Sequence, residues 1–282
     1  MPNEARSFSW RQGDVLPNDA LRVLNLARVE ATEPHSTESN SDVAVVITHD
    51  CDLVADRTRE PHVEIIVGQT IPILNGNATH GKAARTLHLE FHRGHHTVPV
   101  ELRAPAKCRL DKTALIPYVP DATWSLDADN LVILQRWLAS RYRRAAFPDA
   151  FETCLQTTKL DKALVNVVKP LGTFLRAVYF DVTENEGAHS TDSPAYELGI
   201  VLVYDATHPN AEAQVENAAT IIRAKFLQKL DDTKNLGAHT IEFRHCDVVS
   251  DEALSYRQSL GLKQWRLDYL SLRDDPQQDM AD

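Results

Sequence analysis

The sequence predicts an α+β protein of two domains, and three features of its patterning carry that reading. VAVVIT, from Val43 to Thr48, is almost wholly apolar and β-branched, the pattern of a strand covered on both faces. TLHLEF and TVPVELR flank RGHH, and Leu87, Leu89, Phe91, Val98, Val100 and Leu102 alternate with polar residues, as in a β-hairpin with one face in a core. From Asp127 to Arg144 the period changes, and Leu131, Leu134, Leu138 and Tyr142 recur on one helical stripe.

The remaining elements follow in order. Glu30 to Asp42 is polar and rich in turn formers, a loop leading into the first long strand. HVEIIVG, His62 to Gly68, is a second strand. Pro99 suits an edge position, where its missing N–H breaks no ladder. Phe147 and Pro148 end the first helix, and a second is expected from Asp149 to Val168 with Phe151, Leu155 and Leu164 facing the core. The break at Lys169–Gly172 marks the domain junction, giving a β-rich domain with a helical extension over 1–168 and an α/β domain over 169–282. In the latter, LRAVYFDV and YELGIVLVYD are strands, Asn210 to Leu230 an amphipathic helix, and HTIEFRHCDVV a strand. Ser250 caps a helix over DEALSYRQSL, and KQWRLDYLSL closes the sheet. The order is ββαβαβ, with helices on one face.

Composition limits the function classes. With 282 residues and 43% hydrophobic content the chain has ample core material, which excludes wholesale disorder. Met1 to Arg11 lack the apolar run of a secretory signal, and no stretch approaches the ~20 apolar residues that span a bilayer. A cytoplasmic protein without membrane contact is expected. Cys51, Cys108, Cys154 and Cys246 form no CxxC pair and are expected reduced. The net charge of -10 opposes avid nonspecific nucleic-acid binding, yet residues 80–112 hold a local excess of Lys and Arg that suits an anion-binding face.

The chemically loaded segment is THDCD, Thr48 to Asp52, at the carboxyl end of the buried strand. In extended geometry Asp50 and Asp52 share one side, where they could hold a proton or a cation, while His49 and Cys51 face the other. A turn capped by its own aspartates is the alternative. Asp50 or Asp52 with Glu64 resembles the acidic part of a PD-(D/E)xK nuclease, a possible divalent-metal site, although Ile66 stands where a lysine is usual. His49 and Cys51 with His88, His92 or Cys108 would suit zinc. The hairpin's His88, His92, His95 and His96 beside Arg85, Arg93 and Arg103 would suit phosphate binding and metal-free RNA cleavage, or be a solvated face. RWLASRYRR offers Arg136, Arg141, Arg143 and Arg144 with Trp137 and Tyr142, either a nucleic-acid contact or ordinary helix surface.

RQGDV at Gly13–Val15, VAVVIT, VEIIVGQT and VELRAPAKCRLDKTAL together resemble MazF/PemK-type toxins over roughly residues 10–145. That resemblance implies an SH3-like β-barrel that cleaves RNA as a dimer, with Thr70 in the place of the family's catalytic hydroxyl residue. Ser39–Asp42 stands where the family has an arginine, and HDCD is foreign to its pattern. The expectation is therefore a nucleic-acid-directed hydrolase of toxin or phage-defence type, with His49, Asp50, Asp52, Glu64 and Thr70 catalytic and Arg85, His88, His92, Arg93 and Arg103 on phosphate. The alternative is a noncatalytic sensor or adaptor that binds a protein partner or a second copy of itself.

Overall fold

The structure, a computed structural model, describes residues 9–26, 41–140, 147–185, 196–233 and 241–266. It divides into two compact units, Met1–Leu74 with Ala78–Arg141, and Asn75–Asn77 with Tyr142–Asp282.

The first unit contains α1 (Asn18–Val23), β1 (Asp42–Val46), α2 (Asp50–Val54), β2 (His62–Thr70), β3 (Thr86–Arg93), β4 (His96–Arg103), β5 (Lys107–Asp111), β6 (Trp124–Ser125) and α3 (Ala128–Ser140). Its strands form one curled antiparallel sheet in the order β1-β2-β4-β3-β6, with β5 also on β2. Alternation assigns the two faces. Val43, Val45, Ile66, Leu87, Leu89, Phe91, Val100 and Leu102 pack with Leu134 and Trp137 of α3. Ala44, Val46, Val63, Ile65 and Val67 pack on the other face with Ala20 of α1, Leu53 of α2 and Leu115. The β-branched run of β1 thus separates two cores, as its lack of polar positions requires.

The curl comes from β2 changing partner. Its first half, His62 to Ile66, pairs with β5, and its last two residues, Gln69 and Thr70, pair with β4. Gly68 stands at the change-over, where a Cβ would lie 2.5 Å from the Glu101 carbonyl oxygen and 2.5 Å from Leu102 Cδ2. Only a residue without a side chain admits that approach. Pro99 was expected on an edge, yet β4 lies between β2 and β3. It is tolerated because it sits one residue past the last β2–β4 pair, Thr70 with Val100, and its carbonyl accepts the Ile71 N–H at 2.9 Å.

The second unit contains α4 (Asp149–Thr157), α5 (Leu160–Val168), β7 (Leu175–Glu184), β8 (Tyr196–Tyr204), α6 (Ala211–Thr233), β9 (Ile241–Ser250), α7 (Tyr256–Gly261) and β10 (Lys263–Trp265). The sheet order is β10-β7-β8-β9, with β8 and β9 parallel across the α6 crossover. Phe151, Leu155, Leu164 and Val168 join Val215, Ile222 and Phe226 of α6 on one sheet face. The division between units therefore falls before α4, not at the expected Lys169–Gly172, because the helices over 149–168 bury their apolar stripe on the second sheet. Those residues form two helices, separated at Lys159 in a left-handed conformation with φ 58°.

Two further expectations change. The last helix begins at Tyr256, not after Ser250: Ser255 and Gln258 make a capping box, while the Ser250 hydroxyl accepts from the Ala253 N–H in a turn. Of the expected closing strand, Lys263–Trp265 is a strand, and residues from 267 onward lie outside the described residues.

Gly68→Ala is expected to lower unfolding free energy by about 1–3 kcal/mol, since the added methyl meets backbone as well as a side chain. A urea midpoint equal to that of the unsubstituted protein would show that the strand change-over tolerates a side chain.

Candidate functional site

THDCD does not continue the strand. Thr48 ends the extended run by clamping the neighbouring strand: its Oγ accepts the Glu64 N–H at 2.6 Å. His49 then becomes the N-cap of α2, its Nδ1 accepting the Cys51 N–H at 3.2 Å. Asp50 Oδ1 accepts the Gln12 N–H at 2.8 Å, which ties α2 to the N-terminal segment. Asp50, Cys51 and Asp52 are exposed on the first turn. The expected shared side for the two carboxylates is thereby lost, because helical residues two apart point about 200° apart around the axis. Buried Leu53 is the residue that sets which face of α2 turns inward.

The far end of α2 is held by a group that no motif in the sequence singles out. Lys112 is 1% exposed, and its ammonium donates to the carbonyl oxygens of Asp52 and, at 3.0 Å, Ala55. These are the carbonyls that a helix end leaves without partners. A cation there also meets the negative end of the helix dipole. Nothing in the pattern of CRLDKTAL distinguishes a lysine that points inward.

The other proposed catalytic residues are dispersed. Glu64 is an exposed strand residue opposite Arg109. Thr70 Oγ accepts the Ser41 N–H at 3.0 Å, beside the backbone bond from Thr70 N–H to the Ser41 carbonyl, so it secures the start of β1. Among the described residues no three His, Cys, Asp or Glu side chains converge as a metal site. The combination of Asp50, Asp52 and Glu64 is therefore not assembled. Neither is the zinc set: His88 is committed to Glu101, and Cys108 is half-buried in the core beside α1 and α2. All four cysteines are free, with Cys154 and Cys246 buried; burial pushes the Cys246 thiol up to about 12.

The hairpin divides into two parts. At its base, three strands converge on Glu101, which accepts from Gln69 Nε2 at 3.1 Å and Arg103 Nε at 2.8 Å and bonds His88 Nε2 at 3.1 Å. The hydrogen bond from His88, then that from Arg103, holds the Glu101 carboxyl down at about 2. His88 is buried against Glu101, and the exposed Arg103 pairs with the same carboxylate. Arg85 is half-buried, and its backbone carbonyl accepts the Ala104 N–H. Near the tip, His92 lies 3.6 Å from Asp127, and Arg93 stands over the Trp124 ring at 5.1 Å. On α3, Trp137 is buried and donates its indole N–H to the Ala83 carbonyl, while 141–146 lie outside the described residues.

The second unit contributes a polar network with no counterpart among the expected site residues. Arg176 pairs with Asp205 at 2.9 Å and with Asp251 at 3.0 Å, and Asp251 also accepts the Ala206 N–H at 3.1 Å. It ties the carboxyl ends of β8 and β9 to the start of β7.

Two outcomes test these assignments. Lys112→Met is expected to cost about 1–3 kcal/mol by leaving buried carbonyls without a donor. Asp52→Ala, which removes an exposed side chain, should stay within about 0.5 kcal/mol; equal losses in chemical denaturation would contradict the helix-end role of Lys112. Glu101 ionises at lower pH folded than unfolded, so the stability it confers is full above about 4.5 and is lost as pH falls toward about 2. Glu101→Gln should flatten that part of the stability–pH curve, and an unchanged slope would contradict the assignment. Comparison with protein-family models, with characterised proteins and with solved structures gives no match to this chain.

Proposed function

We propose that this protein is a noncatalytic binding module of sensor or adaptor type, and that THDCD is a structural hinge between strand and helix. One observation carries the reading: His49, Thr48 and Lys112 are each bonded to backbone groups, and Asp50 and Asp52 diverge on a short helix. A hydrolytic centre needs groups that converge on one reacting atom. Here the polar groups at the strand end fix the path of the chain instead. The SH3-like description of the curled sheet and the ββαβαβ description of the second unit belong to this proposal. The MazF/PemK resemblance then supports the barrel and not the cleavage. Among the described residues no helix is long and apolar enough to cross a membrane, which fits a module that meets its partner away from a bilayer.

The competing hydrolase reading makes the opposite demand on the same residues. RNA and DNA oligonucleotides incubated with the full chain, with and without Mg²⁺, Mn²⁺ or Zn²⁺, should remain intact. The Asp50→Ala/Asp52→Ala variant should behave identically and keep its melting temperature within a few degrees. Cleavage by the unsubstituted chain that disappears in the folded double variant would restore a catalytic role to α2.

A further inference from the structure

Of the basic residues on the hairpin, His88 and Arg103 at its base share Glu101 and His92 faces Asp127, whereas Arg93, His95 and His96 at its tip stand apart from these acids. Arg93, Gly94, His95 and His96 are all exposed. Among the described residues no carboxylate pairs with Arg93, His95 or His96. The nearest acids are otherwise engaged. Asp121 accepts from the N–H and hydroxyl of Thr123, and Asp127 accepts from Asn130 and faces His92. Glu90 alternates onto the other face of β3, with His92 and away from Arg93.

The tip is also held in place. The Gly94 N–H donates to the Thr123 carbonyl at 2.9 Å, and Gly94 takes a left-handed φ of 61° that lets the chain reverse in the shortest span. Pairing places His96, Arg93 and Trp124 in one row across β4, β3 and β6. Trp124 is anchored from below by an edge contact with buried Phe91, centroids 6.1 Å apart. Arg93 lies over the indole ring and stays exposed, so the row presents a supported planar cation beside an imidazole.

We propose that this row is a contact surface for a single-stranded nucleic acid, with a base stacking on the Arg93–Trp124 pair and phosphates meeting Arg93, His95 and His96. An acidic peptide would satisfy the charge but has no use for the plane. A nucleotide strand supplies both an anionic backbone and flat bases, and base stacking on aromatic and arginine planes is tolerant of sequence. With so few cations the contact is weak and salt-sensitive, in keeping with a chain of net charge -10. The inference rests on the binding-module reading only in that the strand is held and not cut. Cleavage assays address that reading separately.

Fluorescence anisotropy of a labelled, mixed-sequence single-stranded RNA of roughly a dozen nucleotides, titrated with the full chain at low salt, tests it. The Arg93→Ala/His95→Ala/His96→Ala variant should bind at least about tenfold more weakly, and Arg93→Lys, which keeps the charge and loses the plane, should fall in between. Arg57→Ala/Arg59→Ala, which removes two exposed cations elsewhere, should leave binding unchanged. Melting temperatures of all variants identify any that lose the fold, and Arg93→Lys retains a readout if the triple variant does. Absence of binding by the unsubstituted chain, equal weakening by the Arg57/Arg59 pair, Arg93→Lys indistinguishable from the unsubstituted chain, or tighter binding of a poly-glutamate peptide than of RNA would each overturn the proposal.

Discussion

Coverage of β1 and β2 on both faces is the constraint from which the first unit is built. A strand that reads Val-Ala-Val-Val has no position it can leave in water, so it needs a second layer above and a third below. α3 supplies one, and α1, α2 and the segment around Leu115 supply the other. α2 must then begin almost as soon as β1 ends, and the three residues between them have to turn the chain and satisfy the helix start. A hydroxyl that bonds the neighbouring strand, an imidazole that caps the first turn and an aspartate that takes a backbone N–H from the N-terminal segment meet that demand. The polar cluster at the strand end is dense because the turn is tight.

The same reasoning explains a buried lysine. A helix as short as α2 is not stable by propensity, since nucleation costs more than its few internal bonds return. Leu53 supplies apolar anchorage, and Lys112 supplies donors to the last carbonyls. An ammonium this deep is costly unless its hydrogen bonds are made. Here they are made to backbone oxygens at the helix end whose partial charge favours it. Lys112 directly follows β5, so the end of that strand is tied to α2 by a polar bond as well as by packing.

Legibility in the sequence tracks how local the cause of each element is. β1, β2 and the β3–β4 hairpin follow from alternation and turn residues, which act over a few positions, and these were readable. The helices over 149–168 were readable as an apolar stripe, but no stripe declares which sheet it will cover, so the domain boundary was misplaced. The final helix was misread because Ser250 and Ser255 both look like caps. The decisive difference is Gln258, three residues past Ser255, which completes the reciprocal pair. The helical state of HDCD was the least legible feature, because its stabilising partner lies 60 residues away. Alternation extrapolated past Thr48 predicted an extended segment, and it failed where tertiary bonds took over from pattern.

The hairpin shows how one run of residue types divides by position along a strand. His88 and Arg103 sit where β2 runs alongside β4, and the glutamate between them collects donors from all three strands. Past Thr70 β2 has ended, and residues nearer the turn lie away from Glu101 and gain β6 with its tryptophan. Sequence alone gives both groups equal standing as phosphate ligands, since histidine and arginine carry the same charge at either end. The place of Glu101 on β4 decides between them, opposite His88 and two residues from Arg103, and a β2 shortened by two or three residues would strip that carboxylate of its Gln69 partner and loosen the base.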